Sequence, residues 1–244
     1  MASPVLAQSV PTPKAAPKAR GTDPASPSMS VTGKSEAPPE PILPDLRNLF
    51  GMGSNSTAAK TFDPNQKILA SKVSAYLSSL QNLSGNFVQV GPDGSRSTGD
   101  LYLQKPGKIR FEYDAPSPIA IVADGTSVIV RDRRLATQDV YPLAQTPLRY
   151  LLADRIDLLR DTNVVNVTAD DVYVSIAIEE KQPLVGTSRL MLMVGAKDNK
   201  LKQWTVTDPQ GYDTTVAVYN LDTTKKLDPA LFKIDYTAYQ TGNN

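Results

Sequence analysis

Two acidic pairs, Asp170-Asp171 and Glu179-Glu180, are the places in this 244-residue sequence where adjacent side chains invite a chemical role. Converging carboxylates serve glycoside hydrolysis or the binding of hard cations. Neither pair fits. Asp170-Asp171 reads as a turn before a strand and lacks the Asp/Asn alternation of a metal loop. Glu179-Glu180 reads as a solvated strand end, and Glu112 alternates onto the polar side of its own strand. The sequence contains no histidine and no cysteine. That excludes Ser-His-Asp and Cys-His nucleophiles, imidazole- or thiolate-held metals, and disulfides. Phosphate-cradling and dinucleotide-binding glycine motifs are missing as well. With 26 Lys+Arg against 25 Asp+Glu, the chain projects no long-range field. Its basic residues lack aromatic interleaving, so no nucleic-acid partner is expected. The longest apolar runs, Ile119–Ala123 and Leu190–Val194, have five residues, where a helical bilayer span needs about 20. A non-enzymatic binding protein without metal or cofactor is the expectation.

What remains is apolar patterning and the elements that must position it. Asp63-Pro64-Asn65-Gln66 combines a capping carboxylate, a proline for the first helical position and a glutamine for a capping box. Leu69, Val73, Tyr76, Leu77 and Leu80 follow at helical spacing. They predict an amphipathic helix from about Asp63 to Leu80. From Leu83 the period changes to two. Strands are predicted at Ser84–Val90, Ser97–Lys105, Lys108–Asp114, Pro118–Asp124, Ser127–Asp132 and Thr137–Tyr141, with Gly/Pro/Asp turns between several of them. Thr146-Pro147 then repeats the cap-plus-proline start. Leu148, Leu151, Leu152, Ile156 and Leu159 form a second helical stripe, which Asp154 and Arg155 divide into two short helices. Strands resume at Asn163–Thr168, Asp171–Glu179, Thr187–Val194, Leu201–Asp208 and Thr214–Leu221, and Asp228–Phe232 closes the pattern.

Alternation identifies the buried face. Gly99, Leu101, Leu103 and Lys105 share one side of their strand, as do Ile109, Phe111 and Tyr113 of the next. Val172, Val174, Ile176 and Ile178 are in phase. So are Leu190, Leu192 and Val194, with Met191 and Met193 pointing the other way. A large antiparallel sheet with one apolar face must curl or be covered.

Residues 1–60 differ in kind. They hold 10 of the 20 prolines, and Phe50 is their single aromatic residue. Such a segment cannot offset its own ordering entropy, so a disordered Pro/Ala-rich arm is expected at 1–60, with one domain at 61–244. Val5 and Ala7 sit like the small residues of a secretory cleavage site, a signal remnant that is otherwise an Ala/Pro-rich tail. Within the arm, Ile42 to Met52 is apolar. Asp45 to Phe50 can form one or two turns, either a docking motif or a weak helix against the domain.

Several stretches resemble a known family. Gly99-Asp100-Leu101-Tyr102-Leu103-Gln104-Lys105-Pro106-Gly107-Lys108-Ile109-Arg110-Phe111-Glu112-Tyr113 is similar to the G-x-L-x-L-x-[RK]-P-x-x-x-R-[FW]-x-Y segment of LolA-type outer-membrane lipoprotein carriers. Phe87-Val88-Gln89, Val122-Ala123-Asp124-Gly125, Thr146-Pro147-Leu148, Asp208-Pro209-Gln210-Gly211 and Asp228-Pro229-Ala230-Leu231-Phe232 resemble further family segments in the same order. The likeness covers about Ile68 to Tyr236.

The resemblance implies a mainly β fold with helices: an unclosed antiparallel barrel of about 11 strands, its concave face covered by a helical lid. It implies a monomeric periplasmic carrier. Such a carrier takes acylated lipoproteins from an inner-membrane ABC transporter, shields their acyl chains, and delivers them to an outer-membrane receptor. On that reading Leu101, Leu103, Ile109 and Phe111 line the concave face, and Leu148, Leu151 and Leu152 form the lid stripe. Lys105 makes the lid contact where many members carry arginine. Lysine lacks arginine's planar fork, so the latch should be weaker. Met191 or Met193 would suit the cavity if either faced it. Other readings on the same half-barrel are a lipoprotein-sensing regulatory domain, which would normally carry a second interaction domain beyond Tyr236, and a scaffold whose arm does the binding.

Overall fold

A computed structural model of the chain describes residues 38–42, 61–182 and 186–236. Most of the expected arm, including Leu43 to Met52 of its apolar patch, lies outside the described residues.

The helix predicted from the cap forms as α1, Pro64–Ser79. Both halves of its capping box are made, Asp63 accepting from the Gln66 amide and Gln66 from the Asp63 amide. Eleven strands follow among the described residues: β1 Asn82–Val90, β2 Arg96–Gln104, β3 Lys108–Tyr113, β4 Ile119–Asp124, β5 Ser127–Asp132, β6 Thr137–Pro142, β7 Val164–Ala169, β8 Tyr173–Gln182, β9 Gly186–Gly195, β10 Leu201–Thr207 and β11 Asp213–Asp222. They form one sheet in the order β6-β5-β4-β3-β2-β1-β11-β10-β9-β8-β7, every neighbouring pair antiparallel. The sheet is an unclosed barrel wall with β6 and β7 as its two edges.

That order dictates where the lid lies. Hairpins join most consecutive strands, but β6 and β7 occupy opposite edges, so their connection must cross the sheet. It carries a 3-10 turn, Leu143–Gln145, then α2, Leu148–Leu152, and α3, Leu158–Asp161. Leu151, Leu152, Ile156 and Leu158 of this crossing join Ala70, Val73 and Leu77 of α1 in one buried cluster with the apolar sheet face. A second 3-10 turn, Pro229–Phe232, packs on β3 and β4, where Arg110 donates to the Leu231 carbonyl at 3.0 Å.

Two glycines permit close approach. A Cβ on Gly99 would meet the Glu112 carbonyl and the Phe87 ring, so only glycine lets Phe87 pack across β2. Gly107, at φ 76°, turns β2 into β3 against Gly125 of the next hairpin.

Some local expectations are corrected. Thr146 does not cap α2: its hydroxyl donates backward to the Leu143 carbonyl, because the preceding 3-10 turn offers that acceptor. Val172 is 57% exposed and precedes β8, since Asp170 draws the Val172 and Tyr173 amides into a turn. Met191 and Met193 are buried yet stand apart from the cluster that holds Leu190, Leu192 and Val194. They face the outer side of the sheet, as the alternation predicts, and so do not line the concave face.

Candidate functional site

Strand pairing assembles the site. On β2 and β3, Leu101 lies opposite Phe111 and Leu103 opposite Ile109, a two-by-two apolar block on the concave face. Ile121 and Ala123 of β4 extend these rows outward. Phe87 meets Phe111 and Tyr113 edge-on, at centroid distances of 5.2 and 5.0 Å, and Phe111 meets Trp204 at 6.3 Å. Such edge-to-face pairs add to the area buried. Burial pushes the Tyr113 phenol up in pKa, against its hydrogen bond to Gln89.

The structure brings the predicted residues together. Leu101, Leu103, Ile109, Phe111, Leu151 and Leu152 are buried in one cluster, and Leu148 packs half-buried against it. The sheet supplies the wall and the β6–β7 crossing supplies the cover. Phe87, Trp204, Val73 and Leu77 belong to the same cluster. Alternation could not place Trp204. The register shifts between Leu201 and Gln203, so Leu201 and Trp204, three residues apart, both reach the core.

Lys105 lies at the end of this block, 6% exposed. Its ammonium donates to the Leu77 carbonyl in the last turn of α1, where the helix dipole favours a cation. Burial pulls its pKa down to about 8, with Asp154 opposing the shift. The bond from the β2–β3 turn, which Lys105 opens, to the crossing is made by the backbone: the Gly107 amide donates to the Leu152 carbonyl at 2.9 Å.

The crossing has further attachments that sequence reasoning missed. The Ser74 hydroxyl of α1 accepts the Leu158 amide at 3.0 Å. Ser78 accepts the Ile156 amide at 3.1 Å and donates to its carbonyl at 3.3 Å. Helices of four and five residues leave most of their amides without partners, and these two serines supply some. The visible signal was only the i, i+4 spacing of Ser74 and Ser78 on a helix otherwise read by its hydrophobes. On the far side, Arg149 pairs with Glu180 of β8 at 2.6 Å, and Gln182 donates to the Gln145 carbonyl at 3.3 Å.

Glu179 and Glu180 thus have structural roles. They are consecutive in a strand, so they address opposite faces. Glu179 pairs with Arg189 and Lys181, and Glu180 with Arg149. Neither is the solvated end expected, and the two do not converge. An open cleft of about 500 Å³ beside them is lined by Tyr150, Arg160 to Asn163 and Glu179 to Lys181.

A family model described as outer membrane lipoprotein carrier protein LolA matches residues 78–235. The outer-membrane lipoprotein carrier protein of Methylococcus capsulatus is 29% identical over 172 residues, covering 67% of this chain and 81% of that protein. That of Chromobacterium violaceum is 27% identical over 196 residues, covering 77% and 93%. Among solved structures, a LolA superfamily protein from Nitrosomonas europaea aligns over 68% of this chain and 98% of its own, with 10% identity and a TM-score of 0.37.

Proposed function

The chain belongs to the LolA family of outer-membrane lipoprotein carrier proteins, and from that premise we propose that it is a periplasmic carrier of acylated lipoproteins. Its acyl-binding surface is the concave face, and α2–α3 is the part of the cover that gives way. One observation carries this reading: the predicted lipid-facing residues form one continuous apolar cluster, roofed by a connection that crosses between the edges of an unclosed sheet.

The energetics fit a carrier that is closed when empty. Each methylene taken from water is worth roughly 0.8 kcal/mol, so three chains of ~15 methylenes represent roughly 36 kcal/mol. A face that offered this much apolar surface to water unliganded would aggregate. Here Leu151, Leu152, Ile156 and Leu158 fill that place. Loading replaces one apolar filling by another, so lid opening is offset by acyl burial. Transfer then needs a donor that drives extraction, an inner-membrane ABC transporter, and an acceptor more apolar than the carrier, an outer-membrane receptor. Among the described residues no helix is long and apolar enough to cross a membrane.

The test is site-specific photo-crosslinking in a bacterial periplasm. A benzophenone side chain at Leu148, half-buried on the cover, should cross-link to acylated lipoproteins. The same probe at exposed Leu135 should not. Purified complex should then release its lipoprotein to outer-membrane vesicles. Cross-linking without release would replace the carrier by a lipoprotein sensor, and no cross-link from Leu148 would remove the concave face from function.

A further inference from the structure

At the β7 edge of the sheet the ladder stops before its inner strand does. The Glu179 amide of β8 donates to the Asn163 carbonyl at 3.0 Å. Residues of an antiparallel ladder turn to alternate neighbours, so Lys181 points its amide and carbonyl to that same side. By register the residue opposite Lys181 would be Asp161. It is already engaged: its amide donates to the Asp157 carbonyl at 2.7 Å, closing α3. β8 meanwhile stays paired with β9 as far as Gln182. Lys181 therefore stands on a step in the sheet edge, with neither backbone group bonded among the described residues.

The step faces the cleft of about 500 Å³ that Tyr150, Asn163 and Glu180 also line. Glu180 continues the phase of Ile176 and Ile178, so its side chain lies on the concave side. One of its oxygens takes Arg149 at 2.6 Å and Gln182 at 3.2 Å, while the other is buried without a hydrogen-bond partner among the described residues. Leaving a buried oxygen unpaired is costly, and an incoming N–H would recover that cost. The cleft thus suits a ligand that carries N–H donors and carbonyl acceptors in one row, which an extended peptide does. Arg149 and Tyr150 belong to α2, so the cleft lies on the seam between the cover and β8.

We propose that this step binds, as an added strand in line with β7, the polypeptide segment that follows the acylated residue of the cargo. The inference rests on the carrier reading. Acyl chains under the cover and a protein outside it are joined by a chain that must cross the seam. A segment crossing at β8 passes Glu180 and comes alongside Lys181. Main-chain pairing there gives affinity without reading side chains, which suits cargoes that differ in sequence.

The probes are a synthetic triacylated cysteine amide, the same group with a short uncharged peptide tail, and that lipopeptide with every tail amide N-methylated. Displacement of a fluorescent acyl probe from the full chain reads affinity. The plain tail should tighten binding about tenfold, the scale of two or three backbone hydrogen bonds, and N-methylation should abolish the gain. Exchange of the Lys181 amide should slow with the unmethylated tail and not with the methylated one. Lys181→Pro removes that donor and no bond to β9, so it should lose most of the gain. Equal affinity for the two tailed probes, with the tail-less probe still bound, would overturn the step and leave the carrier reading standing. Failure of all three to bind would overturn both. Equal slowing of Lys181 exchange by the unacylated tail at the same concentration would assign the step to a segment of a separate protein, and that also overturns the proposal.

Discussion

The two parts of the cover are built on different principles. α1 is self-sufficient: it has 16 residues, a complete capping box, and a spine of Ala70, Val73 and Leu77 that is 0 to 1% exposed. α2 and α3 have five and four residues, and no side chain caps α2. They borrow hydrogen bonds from their neighbours, through Ser74 and Ser78 of α1, Gly107 of the β2–β3 turn, and Glu180 and Gln182 of β8. Isolated helices this short do not hold in water, because nucleation costs more than one or two turns return. The difference teaches which part of the cover can leave. On the proposed reading α1 stays as part of the wall, while α2–α3 has little of its own to keep it formed once lifted.

The sharpest way to break this comparison is to remove equivalent leucines. Leu77→Ala should cost about 2–5 kcal/mol of global stability, the range for a buried leucine whose site cannot collapse. Leu151→Ala deletes the same atoms from an equally dry position, 2% against 0% exposed. Its cost is capped by the free energy that holds the crossing down, since a lid weakened beyond that simply opens. Denaturant titration should therefore show a smaller loss for Leu151→Ala, together with faster amide exchange confined to 148–161. Equal losses with no local exchange would make the cover one cooperative unit.

Much of this was legible beforehand, for reasons that particular residues make plain. Asp63, Pro64 and Gln66 act within one turn, so the start of α1 needs no tertiary information. Ile109, Phe111 and Tyr113 keep strict alternation against Lys108, Arg110 and Glu112, and the sheet preserves it. Where the register slips, alternation misleads: the shift at Leu201–Gln203 hid Trp204. Met191 and Met193 were read correctly as facing away from Leu190 and Leu192. What periodicity could not supply was a reason for burying the outer face as well. The hydrogen bonds of Ser74 and Ser78 were out of reach, because they link residues 84 and 78 positions apart in the chain. The resemblance pointed to Lys105 as a lid contact, and in this structure its direct partner is the carbonyl of Leu77 in α1.

Lys105 sharpens the comparison through pH. Its pKa falls from 10.5 to about 8 on folding, chiefly because burial disfavours the charge. Between these values the unfolded chain holds a proton that the folded chain has released, so this group makes stability rise with pH across the window. Below about pH 8 both states are protonated and the contribution is flat. Thermal denaturation of wild type and Lys105→Met should run parallel below pH 8, and the difference should move in favour of wild type toward pH 10.5. Because Lys105 joins β2 to α1, the shift should appear in global unfolding and leave exchange in α2–α3 unchanged. A pH-independent difference would mean that the ammonium is better hydrated than its burial implies.

The serines should give a smaller and more local effect. Ser74→Ala and Ser78→Ala each remove a partner of a crossing amide while leaving the apolar spine of α1 intact. One hydrogen bond contributes about 0.5–1.5 kcal/mol, so each variant should raise the open population of α2–α3 by roughly two- to tenfold. Amide exchange at Ile156 and Leu158 should report it, with α1 itself protected as before. Loss of protection throughout α1 would show that the two parts of the cover do not separate.

The smallest effect is expected at the far edge. Arg149 of α2 pairs with Glu180 of β8 at 2.6 Å, and its guanidinium also lies over the Tyr150 ring, 4.2 Å from the centroid. The site opens onto the cleft beside Arg160 and Lys181, and the two side chains retain 28% and 15% of their exposure. An ion pair at this partly open edge contributes about 0.2–1 kcal/mol. The second oxygen of Glu180 is buried without a hydrogen-bond partner among the described residues, so part of the pair's attraction is spent offsetting that desolvation. Arg149→Met keeps the apolar stem and deletes the charge. It should leave the melting temperature nearly unchanged and raise lid opening by a few-fold at most. A double-mutant cycle with Glu180→Gln isolates the pair from the ring contact. The coupling should shrink as salt rises from about 0.05 to 0.5 M, over which the screening length falls to a few ångströms. If the coupling appears in exchange of 148–161 and not in global unfolding, the pair is a latch on a separable lid. If it appears equally in both, α2–α3 is as firmly built into the domain as α1, and acyl chains must enter by another route.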